Sequence, residues 1–138
     1  GAVAVVAIDD GEVVLVRQYR PVMEREMLEI PAGKLDVEGE DRLSAARREL
    51  VEEAGLYAND LVELGRFHNS IGFCDEETTI YLSTDLAPAS SEAVSIEEQY
   101  LTVVRVPLDD VESMIADGTI TDAKTVIGLL RALRLLGR

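Results

Sequence analysis

The chemistry-bearing residues of this chain crowd into one stretch, Arg48-Glu49-Leu50-Val51-Glu52-Glu53. On a helix, Glu49 and Glu53 stack one turn apart and Glu52 lies beside Glu49. Fully solvated, such a face costs only about 0.2–0.5 kcal/mol per like-charged pair. Partly buried, at roughly 6 Å and an effective dielectric of ~20, each pair repels by about 3 kcal/mol. A hard dication removes that cost, and oxygen ligands are what magnesium prefers. Arg48 sits four residues before Glu52 and can pair with it.

The spacing predicts a helix from Arg42 to Ala54. Asp41 offers its carboxylate as N-cap, and the stretch holds no Pro or Gly and one β-branched residue, Val51. Gly55 suits the left-handed position just past the end. Leu43, Ala46, Leu50 and Ala54 fall on one side and are expected to face the core. The carboxylates flank that stripe.

Around this helix the pattern alternates. Ala2–Ile8 reads as a buried strand, Asp9-Asp10-Gly11 as a hairpin turn, and Glu12–Tyr19 as a central strand apolar on both faces over its first half. Met27–Ile30 is a short strand ended by Pro31, and 31–40 is a loop. Leu61–Phe67, Thr78–Thr84 and Leu101–Val106 are strands; 69–77 and 85–98 are loops. Leu108–Ala116 reads as a short helix. A last helix is capped by Thr121 or Asp122, with Ile127, Leu130, Leu133 and Leu136 toward a sheet. The order implies one domain over residues 1–138, α/β (α+β), with a mixed sheet between helices.

The chain has 138 residues, 47% hydrophobic, enough for one real core. A formal net charge of −14 argues against binding nucleic acid by bulk electrostatics. The same charge requires cations wherever a polyphosphate is held. The lone Cys74 excludes an internal disulfide and a cysteine-based zinc site. No apolar run is long enough for a membrane span, and a cytoplasmic setting is expected.

Gly33, Glu40, Arg48-Glu49-Leu50, Glu52-Glu53 and Gly55-Leu56 together resemble the Nudix box. From Glu40 onward the match is complete; six residues rather than five separate Gly33 from Glu40. Gln18-Tyr19-Arg20, Glu29-Ile30-Pro31-Ala32-Gly33, Val106-Pro107-Leu108 and Asp122-Ala123-Lys124-Thr125 are similar to the ADP-ribose pyrophosphatase branch of that family. The resemblance implies the Nudix fold and magnesium-dependent hydrolysis (manganese as a substitute) of a nucleoside diphosphate-sugar, foremost ADP-ribose to AMP and ribose 5-phosphate. A dinucleotide or oxidised nucleotide is the alternative substrate, and a non-catalytic nucleotide-binding module the alternative function. Ile71 stands where the branch often has a proline, which weakens the case for ADP-ribose itself.

By the same resemblance Glu49, Glu53 and the Ala32 carbonyl hold the metal. Glu52 ligates directly or through water, and Glu40 is an outer ligand. Arg48 orients a glutamate. Glu98, or Glu97 beside it, is the base. Arg20, Glu29 and Gly33 meet substrate, with an Arg20–Glu29 ion pair as the structural alternative. His68 and Cys74 are expected to be passive, and Asp75, Glu76 and Glu77 to form a solvated turn. The implied partner is a small nucleotide, and the implied assembly is a homodimer. Branch members carry an extra N-terminal segment that helps build the dimer; the chain is expected to lack it or to begin after it.

Overall fold

A computed structural model describes residues 1–89 and 100–138. Strand β1 (Ala2–Asp9) turns at Asp10-Gly11 into β2 (Glu12–Arg20). The two pair over only three positions next to the turn, Ala7 with Val14 through Asp9 with Glu12, and then splay. β3 (Arg25–Glu29) and β4 (Ala32–Lys34) fill the fork. β3 pairs antiparallel with the far end of β2, Val16 opposite Glu29. After Ile30 and Pro31 the chain crosses over, and β4 pairs with the far end of β1, Ala4 opposite Ala32. The stretch expected to be a loop thus contains a short strand. Pro31 shifts the chain from one partner to the other because it has no N–H to extend the ladder.

β7 (Glu77–Ser83) runs parallel to the other edge of β1, and β6 (Val62–His68) pairs antiparallel with β7. β9 (Thr102–Pro107) lies on the other edge of β2. β5 (Leu56–Ala58) and β8 (Leu86–Pro88) form a separate two-stranded ribbon, so the start of the expected 85–98 loop is strand.

Alternation along the strands builds two cores. Val3, Val5, Ala7, Val14 and Tyr81 face helix α1 (Arg42–Ala54) through Ala45, Ala46 and Leu50. Ala4, Val6, Ile8, Val13, Leu15, Ile80 and Leu82 face α2 (Val111–Ala116) and α3 (Ala123–Leu135). The mixed sheet therefore lies between helices, as expected. A 3-10 turn, Leu108–Asp110, precedes α2 where one continuous helix was expected.

Helix α1 matches its sequence reading at both ends. Asp41 accepts from the Ser44 amide, and Gly55 closes the helix at φ 68°. Its phase differs slightly: Leu43 is 43% exposed and Ala45 is buried in its place. Asp122 caps α3, accepting from the Thr125 amide. Here the buried face is Thr125, Leu129, Ala132 and Leu133 with Gly128, while Leu130 and Leu136 are exposed. Gly128 is the reason. A β-carbon there would meet Val6 at 3.0 Å, Ile30 at 3.2 Å and Ile80 at 3.2 Å, so the helix backbone itself packs on the sheet.

Candidate active site

The fork of the β1–β2 hairpin opens into a cleft of about 780 Å³. One side is the exposed flank of α1, the other the N-terminus of α3, and the floor is β4 with the ends of β2 and β7. Each end of the cleft has its own charge.

On the α1 side, Arg48 gathers the acids. Its Nε and Nη2 donate to Glu40, the shortest contacts 3.0 Å, and its Nη1 donates to Glu49 at 2.9 Å and Glu52 at 3.3 Å. Hydrogen bonding to Glu40 raises the Arg48 pKa above its ordinary value; burial opposes this, and the Glu49, Glu40 and Glu52 charges add to it. The side chains are largely covered, Glu49 12% exposed and Glu40 14%, so the repulsion between them is not fully screened. Glu53 faces β4, where its Oε1 accepts from the Ala32 amide at 2.9 Å. A β-carbon on residue 33 would lie 2.0 Å from the Glu49 carboxylate carbon. Only glycine leaves room for the carboxylate against the β4 backbone.

Among the described residues, no three His, Cys, Asp or Glu side chains already stand in ligand geometry for a metal ion. The donor chemistry nonetheless suits a hard divalent cation. Glu49, Glu52 and Glu53 offer carboxylate oxygens, the ligand type such ions take, and they line the cleft beside β4, where Gly33 leaves room for the Glu49 carboxylate.

On the α3 side, Glu29 is the hub. It is 3% exposed and accepts from Arg20 Nε at 2.9 Å, Arg20 Nη2 at 2.7 Å, Lys124 Nζ at 2.7 Å and Gln18 Nε2 at 3.3 Å. Burial pushes the Glu29 pKa up, but the Arg20 hydrogen bonds together with the charge and hydrogen bond of Lys124 outweigh it and hold the carboxyl at about 2. Asp122 accepts from the same Lys124 at 2.9 Å. Arg20, Lys124 and, on β4, Lys34 bring cations into a cleft otherwise rich in carboxylates.

The fold thus brings Arg20, Ala32, Gly33, Arg48, Glu49, Glu52 and Glu53 to the wall of one cleft, Arg20 across from the α1 carboxylates. Glu29 lies just behind that wall, paired with Arg20 as the ion-pair alternative anticipated. Glu40 also lies behind it, with both oxygens taken by Arg48. Glu97 and Glu98 lie outside the described residues. His68 is largely exposed, 3.8 Å from Glu77, and Cys74 is half-buried. Glu76, expected in a solvated turn, reaches the cleft and accepts from Asn69, whose Oδ1 in turn accepts from Thr78 at 2.8 Å. Ile71 is 85% exposed and away from this wall.

The sequence does not mark Lys124 as a cleft residue, although Asp122-Ala123-Lys124-Thr125 is one of the stretches that carry the resemblance. The Lys124 partner Glu29 is 95 residues away, a separation that no local periodicity reports.

The family model described as the NUDIX domain matches residues 1–127. An ADP-ribose pyrophosphatase of Bacillus subtilis (strain 168) is 37% identical over 130 residues, 94% of this chain and 70% of that protein. A methanol dehydrogenase activator of Bacillus methanolicus is 38% identical over 130 residues, again 94% of this chain and 70% of the relative. A crystal structure of an ADP compounds hydrolase superposes with a TM-score of 0.89 at 32% identity, covering 99% of this chain and 72% of that one. With the box helix where the sequence pattern assigns it and these matches over most of the chain, the chain belongs to the Nudix hydrolase family.

Proposed function

We propose that this chain hydrolyses the diphosphate of ADP-ribose with Mg²⁺, giving AMP and ribose 5-phosphate. The observation that carries the reading is a single cleft joining a carboxylate wall on α1 to cations held by Glu29 on the opposite side. A diphosphate between two sugars needs both: cations at the scissile bridge and polar grips on the flanking groups. The names of the Bacillus subtilis relative and of the structural neighbour favour ADP-ribose among such substrates.

Nudix hydrolases generally need divalent cations; Mg²⁺ is our assignment here, with Mn²⁺ as a substitute. When bound, the ion supplies neutralisation of the diphosphate and a lowered pKa for a coordinated water. In this reading Glu49, Glu53 and the Ala32 carbonyl hold it, and Glu52 adds a direct or water-mediated ligand. Glu40 acts at one remove, fixing Arg48 so that Arg48 orients Glu49 and Glu52. Glu98, with Glu97 as second choice, accepts the proton of the attacking water. The water oxygen bonds to phosphorus, the bridging P–O bond breaks, and the leaving phosphate departs as the monoester. Arg20, pre-set by Glu29, contacts the substrate beside Gly33.

Product release from ADP-ribose, a dinucleotide and an oxidised nucleotide, with Mg²⁺ and with chelator, tests the proposal. ADP-ribose is expected to be the preferred substrate and chelator to abolish turnover. Glu53→Gln is expected to cost about 100-fold or more, the scale on which lost transition-state charge stabilisation acts, with far-ultraviolet circular dichroism unchanged. An inert ADP-ribose beside a cleaved alternative would overturn the substrate, and full activity in Glu53→Gln would overturn the site.

A further inference from the structure

The crossover from β3 to β4 is held at every residue. The Glu29 carboxylate is taken by Arg20 and Lys124. The Pro31 carbonyl accepts from the Val5 amide at 2.9 Å. The Ala32 amide donates to Glu53, and Gly33 backs onto the Glu49 carboxylate. The remaining residue, Ile30, is 1% exposed, and its amide donates to Thr125 Oγ1 at 3.0 Å. A buried amide at a strand end needs such an acceptor. Ile30 lies between the end of β3 and the start of β4, and its amide finds its acceptor on α3 instead of on a strand.

Thr125 is 0% exposed and uses its hydroxyl in both directions. It accepts from Ile30 and donates to Asp122 Oδ2 at 2.6 Å. Asp122 therefore fixes the hydroxyl proton, which leaves an oxygen lone pair aimed at the Ile30 amide. The brace spans 95 residues and joins α3 to the crossover that leads into β4 on the cleft floor. Two residues beyond Ile30 lies Ala32, whose amide meets Glu53, and next to it Gly33, which makes room for Glu49.

We propose that Thr125, oriented by Asp122, is a positioning residue for the cation site. It sets the depth of the Ile30–Gly33 backbone against α1, and so the distance between the β4 backbone and the Glu49 and Glu53 carboxylates. The inference rests on the cation site placed above at Ala32, Glu49 and Glu53. Its chemistry requires a hydroxyl: valine fills the same volume without an acceptor, and serine restores the acceptor.

Mn²⁺ binding to the full chain, followed by electron paramagnetic resonance of the free ion, tests this without turnover. Amide hydrogen exchange at Ile30 and Ala32 and the unfolding midpoint are measured on the same samples. Thr125→Val is expected to weaken Mn²⁺ binding by about 10-fold, the lower end of what outer-shell partners cost, and to speed exchange at both amides. Thr125→Ser is expected to restore both. A hydroxyl serving stability alone would move the midpoint and leave the affinity of the folded protein unchanged; that result overturns the proposal, as does a serine variant as weak as the valine one. If Thr125→Val does not fold, Thr125→Ala carries the same comparison with serine. Glu53→Gln separates the two levels. Wild-type protein that binds no Mn²⁺, or Glu53→Gln that binds it normally, removes the cation site and this inference with it. Binding lost in Glu53→Gln but kept in Thr125→Val removes the positioning role alone.

Discussion

Gly33 and Glu49 show at the scale of single residues how backbone and carboxylate share one space. The atom that a β-carbon at residue 33 would strike is the mobile end of a side chain, 2.0 Å away. The glutamate can therefore swing aside without disturbing the core, and Gly33→Ala should alter stability by less than about 1 kcal/mol. It should still displace a ligand carboxylate and lower kcat/KM by roughly 10–100-fold. Chemical unfolding and steady-state kinetics on one preparation check the pair of expectations, and an unchanged kcat/KM would sever Gly33 from the site. The carboxylates of α1 were legible because helical spacing alone brings them together. The role of Glu40 was only half legible. Its position eight residues before Arg48 crosses a loop and a cap, so nothing periodic announces that both of its oxygens go to that guanidinium. Lys124 was illegible as a partner of Glu29 for the same reason at longer range.

At the scale of elements, local chemistry predicted α1 closely because each signal acts within a turn or two: the Asp41 cap, the uninterrupted stretch after it and the glycine at its end. The phase of α3 held at Leu133 and Ile127 but failed at Leu130 and Leu136, because its closest approach to the sheet is made by a residue with no side chain. Counting leucines put Leu130 and Leu136 inward, whereas packing turns Gly128 and Leu129 to the sheet. Gly128→Val should therefore overpack the contact with Val6, Ile30 and Ile80 and destabilise by about 1–3 kcal/mol. Urea unfolding measures this, and a neutral substitution would mean that α3 rides higher on the sheet than described. Strand β4 was missed because three residues after a proline carry no alternation to read. Its partner, the far half of β1, becomes available only because the hairpin splays.

At the scale of the whole molecule, the splayed hairpin is the feature that the sequence did not disclose. It is a tertiary choice, made when β3 and β4 enter the fork, and it sets the carboxylates of α1 across from the cations of Glu29. The Glu29 cluster ties β2, β3 and α3 together, so its titration should be felt in global stability. A carboxyl whose pKa drops on folding stabilises the fold at pH values above its ordinary pKa. For Glu29 that contribution is complete above 4.5 and is lost as the pH falls toward about 2. Glu29→Gln should thus be less stable than wild type near neutrality, and the gap should close as the pH is lowered through that window. Unfolding midpoints across the range check it, and a gap independent of pH would show that the cluster's charge does not support the fold.

The account rests on a divalent cation sitting between the α1 carboxylates and the β4 backbone. Crystals soaked in Mn²⁺ together with a non-hydrolysable ADP-ribose analogue measure that position through anomalous scattering. A peak within bonding distance of Glu49, Glu53 and the Ala32 carbonyl, with the diphosphate beside it, is the predicted result. Analogue bound in the cleft with no anomalous peak at those oxygens would contradict it.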